Sequence, residues 1–215
     1  MEEKVTIPAA LQWFFGVALR SRSYLNAVYL LLAFPLGIAY FVFLLTGWAL
    51  GVGLTVIWIG LVILLLVLLL SFALSAFERQ QAIHLLGAEI GPLSEDLGES
   101  AEFWPRAKSF FANKVTWTGM AFLLMKFPLG VASFVLLVTG GAFSFALIAA
   151  PVYYRWEPPE INLWYIDTMP EALLASLIGV LCFFLTLHAV NGLAWIWRLL
   201  AQHLLGRSQP EAAPA

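Results

Sequence analysis

Residues 50–77 read LGVGLTVIWIGLVILLLVLLLSFALSAF, and these 28 positions contain no Asp, Glu, Lys or Arg. A helix that crosses the hydrocarbon core of a bilayer needs only about 20 apolar residues. The whole chain shows the same bias, since 62% of its 215 residues are hydrophobic and 11% are charged. Soluble domains are about 25% charged. The sequence therefore predicts an integral membrane protein, and it excludes a soluble enzyme, a nucleic-acid-binding domain and a disulfide scaffold.

Three further apolar segments are long enough to cross a bilayer. The sequence thus predicts an all-α integral membrane protein with four transmembrane helices. A short acidic stretch between the second and third helices is predicted to be a cytoplasmic linker, and the polar end of the chain to be disordered. The predicted bounds are about 24–46, 50–77, 115–139 and 172–197 for the helices, 88–99 for the linker and 207–215 for the tail.

The basic residues predict the orientation of these helices. Nine of the 11 Lys and Arg residues precede the first segment, lie between the second and third, or follow the fourth. Cytoplasmic loops of membrane proteins are enriched in Lys and Arg. We therefore expect both termini and the middle loop on the cytoplasmic side of the plasma membrane.

The chain contains an internal repeat. LLLAFPLG at residues 30–37 recurs as LLMKFPLG at 123–130, and 12 of the 19 positions in 29–47 are identical 93 residues later. HLLG at 84–87 recurs at 203–206, an offset of 119. The two units predicted from these offsets are residues 1–87 and 100–206. The larger second offset indicates an insertion at about 149–171, in the outer loop of the second unit.

Each unit is predicted to begin with an amphipathic helix that lies in the membrane interface. Leu11, Phe14 and Leu19 follow the spacing of one apolar helix face, and Trp104 and Phe111 occupy similar places in the second unit. Because both units then start on the cytoplasmic side, we expect two hairpins in a parallel repeat, related by an axis along the membrane normal.

Several repeated residues have predicted structural roles. Pro35 and Pro128 lie in mid-helix, where proline removes a backbone hydrogen bond and causes a kink. A fixed kink is the simpler interpretation, and a movable hinge is the alternative. Gly37 and Gly130 are candidates for close helix packing. The GWALG stretch at 47–51 is interpreted as turn glycines, with helix pairing as the alternative. Glu78, with the arginine that follows it, is interpreted as an interface anchor.

Positions where the two units differ predict a ligand site. Lys126, His188 and Asn191 replace Ala33, Leu69 and Phe72 of the first unit. A lysine at membrane depth is costly and usually faces a bundle interior. The four predicted segments contain no acidic residue, so the sequence leaves two alternatives. Lys126 is neutral or extends toward the interface, or it meets an anionic lipid or ligand, with His188 and Asn191 as further donors.

The outer insertion contains a second set of candidates. Arg155, Trp156, Glu157 and Asp167 are predicted to meet an external signal, and anchoring at the interface is the alternative. No HExxH sequence, nucleophile elbow or Walker loop is present. We therefore expect no enzymatic activity, no catalytic residue, no cofactor and no metal site.

The run YLLLAFPLGI at 29–38, continued by FVFLLTGWALGVGL at 41–54, Ile59-Gly60, Glu78-Arg79 and the LLG at 85–87, resembles the bacterial and archaeal family called "Putative sensor". Nearly the whole chain is covered by this resemblance. It implies a four-helix membrane module that often precedes the dimerisation and ATPase domains of a histidine kinase. It also implies a role in signal transduction, but its motifs are structural rather than catalytic.

Three function classes follow from these observations. The leading one is a non-enzymatic membrane sensor that acts through a separate partner, because no kinase domain follows residue 206. The second is a membrane subunit or accessory of a transporter, which binds an anionic lipid. The third is a structural subunit of a larger membrane complex. The expected partners are the lipid bilayer and a kinase, regulator or transporter subunit, but no nucleic acid.

Overall fold

A computed structural model describes residues 9–90, 114–155, 160–161 and 164–206. Five α-helices make up most of the described chain, and two antiparallel strands of two residues each lie between the last two helices. Their bounds are α1 Ala9–Phe15, α2 Ser21–Gly53, α3 Ile59–Gln81, α4 Lys114–Tyr153, β1 Glu160–Ile161, β2 Trp164–Tyr165 and α5 Met169–Leu204.

Four of these helices are long and apolar enough to cross a membrane. Their most apolar windows have mean hydropathies of 2.2 to 2.9. The predicted all-α class, with four helices able to span a membrane, is therefore confirmed. Three of the helices are longer than the predicted segments, since α2 has 33 residues, α4 has 40 and α5 has 36, whereas α3 has 23. An α2 of this length measures about 50 Å, whereas a hydrocarbon core is about 30 Å thick, so α2 is longer than a membrane crossing requires.

The turn between α2 and α3 lies later in the chain than predicted. Helix α2 continues through the GWALG stretch and ends at Gly53. Trp58 then adopts a left-handed conformation, with a φ of 63°, immediately before α3. A Cβ added at Gly47 or Gly51 would lie 2.5 Å from the side chain of Val67 or Leu64 of α3. The interpretation as turn glycines is therefore wrong, because these glycines allow α2 and α3 to pack closely.

Helices α2 and α4 cross at the repeated PLG sequences. A Cβ added at Gly37 would lie 2.6 Å from the carbonyl oxygen of Lys126, and one at Gly130 would lie 2.5 Å from that of Ala33. These two contacts are equivalent under the offset of 93. The predicted close packing at both glycines is confirmed, and the prolines beside them lie within uninterrupted helices. Two stacked phenylalanine pairs flank the crossing, Phe34 with Phe134 and Phe41 with Phe127.

The two repeat units run in opposite directions. Trp48, near the end of α2, lies against Trp117, near the start of α4, with ring centroids 6.2 Å apart. Parallel helices that cross at Pro35 and Pro128 would separate these two tryptophans by roughly 36 Å along the axis. The prediction of a parallel repeat is therefore wrong for this packing. The cytoplasmic placement of both termini, from which the parallel repeat was inferred, depends on the Lys and Arg residues and stays a prediction.

The first lead-in segment is a helix of seven residues, followed by a 3₁₀ turn at Gly16–Leu19. Phe14 packs against Phe184 of α5, with ring centroids 5.6 Å apart, whereas Leu19 is 90% exposed. Only part of the expected apolar face therefore packs against the helix bundle. The lead-in of the second unit, with Trp104, Ala107 and Phe111, lies outside the described residues, as do the linker at 91–99 and the tail at 207–215.

Substituting the glycines of the crossing is expected to destabilise the bundle. In Gly130→Ala the new methyl group meets backbone atoms, which cannot rotate away, so we expect a loss of about 1–3 kcal/mol in unfolding free energy. Gly141→Ala is the matched control, because it lies in the same helix and has no atom within 4 Å of an added Cβ. Thermal unfolding in mild detergent should show a lower midpoint for the first variant only. Equal midpoints would contradict the close α2–α4 crossing.

Candidate functional site

A buried ion pair joins α3 to α4. The ammonium of Lys126 donates to one carboxylate oxygen of Glu78, and both side chains are 0% exposed. The hydroxyl of Tyr40, on α2, donates to the other carboxylate oxygen over 2.8 Å. The carboxylate thus has a partner at each oxygen, as buried charges require.

Aromatic rings surround the lysine cation. The Nζ atom lies 4.8 Å from the ring centroid of Tyr29, and 5.9 Å from those of Tyr40 and Trp197. A cation within about 6 Å of an aromatic face is attracted to the ring quadrupole. These rings therefore replace part of the hydration that Lys126 loses inside the protein.

The ion pair lies where all four long helices meet. Tyr29 and Tyr40 belong to α2, Glu78 to α3, Lys126 to α4 and Trp197 to α5. The indole of Trp197 in turn donates to the hydroxyl of Ser133 over 2.9 Å. We refer to the side chains of Tyr29, Tyr40, Glu78, Lys126 and Trp197 as the buried centre. A movement of any of these helices changes at least one contact of the centre.

The buried centre corrects two sequence predictions. The predicted second segment ends at Phe77, one residue before Glu78, so no acidic residue falls within a predicted membrane segment. The structure continues α3 through Gln81 and adds a π-helical turn at Ala82–Leu86. Glu78 is therefore inside a spanning helix, and its assignment as an interface anchor is wrong. Two features of the sequence could have indicated that Glu78 lies within the helix. Residues 82–86 are mostly apolar and continue the helix beyond it, and Lys126, at membrane depth, had no assigned counter-ion.

Lys126, His188 and Asn191 do not form one polar site. His188 shares a hydrogen bond of 3.2 Å with the carbonyl oxygen of Phe14, and its ring stacks on Trp13 and Phe14. Asn191 accepts from Asn26 over 2.8 Å and donates to Ser23 over 2.9 Å. His188 thus attaches the lead-in helix to α5, and Asn191 joins α5 to α2.

The structure describes two of the four predicted outer residues. Arg155 is exposed, and its Nε donates to the hydroxyl of Tyr154 over 3.1 Å. Asp167 is exposed, and its backbone N–H donates to the carboxylate of Glu171 over 3.3 Å. Between them, Ile166 is 0% exposed and packs in a small apolar cluster with α4 and α5. Trp156 and Glu157 lie outside the described residues.

The buried centre has the composition of a structural or switching contact. Within the described ranges, no group of three or more His, Cys, Asp or Glu residues is placed to hold a metal ion. The contacts of the centre are an ion pair, a hydrogen bond and cation–π contacts, which hold helices in one arrangement.

Comparison with protein families provides an assignment. A family model described as "Putative sensor" matches residues 29–205. The chain belongs to the "Putative sensor" family. The range matched by the "Putative sensor" model includes α3, α4 and α5 in full and α2 from residue 29 onward, and it contains the whole buried centre. No curated protein and no solved structure matches the chain.

Proposed function

We propose that this protein is a non-enzymatic, multi-pass sensor module of the cell membrane that passes its signal to a protein partner, a kinase or a regulator. The family match over residues 29–205 carries the proposal. The four helices that can cross a membrane agree with it.

The geometry supports a route for the signal along α4. This helix ends at Tyr153, beside the exposed Arg155, and it carries Lys126 at the buried centre. Packed helices rearrange between discrete states rather than deforming continuously. We call residues 154–168, between α4 and α5, the outer turn, because the Lys and Arg residues predict this side to be external. A signal received there would act by shifting α4 against α3, with the contact between Lys126 and Glu78 formed in one state and altered in the other.

This proposal predicts that the outer turn is required for output but not for folding. We expect that a strain lacking the gene has an altered transcription profile, which the wild-type gene restores. A variant lacking residues 160–165 loses β1 and β2 but keeps the buried Ile166 and the Thr168 cap of α5. It should reach the membrane at the wild-type level without restoring the profile. A control variant with Arg155→Lys keeps the positive charge and should restore it.

Two outcomes would contradict the proposal. If the shortened variant restores the profile completely, the outer turn has no sensory role. If loss of the gene leaves transcription unchanged and instead abolishes uptake of a solute, the transporter-subunit assignment is favoured.

A further inference from the structure

A second polar site lies away from the buried centre, between α2 and α5. Arg22 and Asn26 of α2 and Asn191 and Arg198 of α5 line a cavity of about 70 Å³, and Trp195 lies at its side. We call this site the arginine cleft. Arg22 and Trp195 are exposed, whereas Asn26 is buried, so the cleft leads from the protein surface to a polar floor.

The floor of the cleft is fixed by a chain of hydrogen bonds. Asn26 donates to Asn191, Asn191 donates to Ser23, and Ser23 donates to the carbonyl oxygen of Val17 over 3.0 Å. The guanidinium of Arg22 lies directly against the backbone of Gly87, which has a φ of 57°. A side chain at residue 87 would displace that guanidinium. The cleft is therefore formed before any ligand binds.

The cleft has an excess of positive charge. Among the residues that the structure describes, the ion pair is that of Lys126 and Glu78 at the buried centre. No described carboxylate lies within ion-pair distance of Arg22 or Arg198. Two guanidinium groups that line one small cavity repel each other unless an anion lies between them. Guanidinium groups match phosphate oxygens with two parallel hydrogen bonds, and an asparagine amide adds a neutral donor.

The internal repeat provides a second copy of the cleft for comparison. Offsets of 93 and 119 map the residues of the arginine cleft onto the lining of another cavity, between α3 and α4, of about 10 Å³. Arg79 corresponds to Arg198, but Val115 replaces Arg22 and Phe72 replaces Asn191. The guanidinium of Arg79 donates to the carbonyl oxygen of Ile90 over 3.2 Å. The copy between α3 and α4 is thus nearly closed and largely apolar, and we call it the closed copy. The arginine cleft, between α2 and α5, is open, polar and basic.

From this difference, we infer that the arginine cleft binds a phosphate group. The group belongs to an anionic lipid of the membrane or to a soluble phosphate compound, and both present the same oxygens to the two arginines. Position favours the lipid. Arg22 is the second residue of α2, which is longer than the hydrocarbon core is thick, and exposed tryptophans such as Trp195 are enriched at headgroup level. Basic pockets between membrane helices bind lipid headgroups in this way.

This site differs from the one that the sequence predicted. The predicted anion site combined Lys126, His188 and Asn191, but Lys126 already has a counter-ion in Glu78. Only Asn191 is common to both sites. The inference deepens the proposed sensor function by naming a ligand class, but binding is measured directly. A failure to bind therefore leaves the sensor assignment standing.

The test measures lipid retention by the purified full chain. Native mass spectrometry would compare phosphatidylglycerol with phosphatidylcholine for the wild type, Arg22→Gln, Arg198→Gln and the control Arg20→Gln. Arg20 is exposed and does not line the cleft. Its variant makes the same change in net charge as the cleft variants, without altering the cleft. We expect a preference for phosphatidylglycerol that falls about tenfold or more in each cleft variant, since one charged hydrogen-bonding partner is lost. The control should keep the preference.

Two further measurements make the result decisive. The double variant Arg22→Val with Asn191→Phe installs the residues of the closed copy and should also lose the preference, with its fold checked by circular dichroism. Inorganic phosphate is the soluble probe. If it raises the melting temperature of the wild type but not of Arg22→Gln, and no lipid preference is seen, the phosphate source is soluble. Equal retention of both lipids by all variants, with no response to phosphate, would overturn the inference.

Discussion

Glu78→Ala is expected to destabilise the protein by about 3–5 kcal/mol, because it leaves the ammonium of Lys126 buried without a counter-ion. The 0% exposure of both side chains excludes rescue by water in the folded state. Tyr40 also loses the acceptor of its hydroxyl hydrogen bond. Thermal unfolding in mild detergent, monitored by size-exclusion chromatography, should show a large fall in the midpoint temperature. Lys126→Ala should show a similar fall, since it leaves the carboxylate unpaired.

Replacing both partners gives the matched control. In Glu78→Leu with Lys126→Met, neither charge is left alone, and the two apolar side chains are similar in volume to those they replace. Buried ion pairs replaced by apolar residues are often neutral in stability or gain about 1–4 kcal/mol. The double variant should therefore unfold at a higher temperature than either single variant. The single variants Glu78→Leu and Lys126→Met complete the double-mutant cycle. If their effects simply add in the double variant, the side chains do not interact, and the buried centre is not as described.

The same double variant separates stability from signalling. It keeps the fold but removes the contact that links α3 to α4 at the buried centre. If that contact changes during signalling, the double variant should restore normal expression in a deletion strain without restoring the transcription profile. A fully restored profile would show that the ion pair serves stability alone.

The class of the fold could be predicted from sequence because it depends on composition and length. Residues 50–77 had to lie mostly within membrane helices, since no soluble fold hides 28 residues without Asp, Glu, Lys or Arg. Their division between the end of α2 at Gly53 and the start of α3 at Ile59 was not predicted. The close packing at Gly37 and Gly130 was also predictable, because glycine within a membrane helix allows a neighbouring helix to approach closely. These properties depend on single residues or single helices.

The partners of Lys126 could not be predicted in the same way. Apolar periodicity identifies a helix, but it does not state which helices are neighbours or in which direction they run. The repeat showed that two units share one structure, and this is equally true of parallel and inverted pairs. The charged residue at 78 was assigned to the interface because the predicted segment was cut at the first charge. A buried carboxylate is tolerable only beside a cation, and that information lies 48 residues away in the sequence.

The direction of the two units predicts a cross-linking result. In a background with Cys182→Ala, which removes the one native cysteine, a pair of cysteines at 48 and 117 should react with a short bifunctional maleimide. The two tryptophan rings at these positions are 6.2 Å apart in the antiparallel packing. A parallel repeat places these positions roughly 36 Å apart along the axis, beyond the reach of a short reagent. The expected result is nearly complete cross-linking, seen as a shift in electrophoretic mobility after proteolysis between the helices.

The comparison pair is Trp48→Cys with Gly141→Cys. Residue 141 is the repeat equivalent of residue 48, so a parallel repeat brings these two to the same depth in neighbouring helices, whereas the antiparallel packing places them at opposite ends of the bundle. Gly141 tolerates a side chain, since no atom lies within 4 Å of an added Cβ. The two pairs therefore give opposite results for the two arrangements. Reaction of the second pair alone would restore the parallel repeat, together with the common cytoplasmic start of both units that the Lys and Arg residues predict.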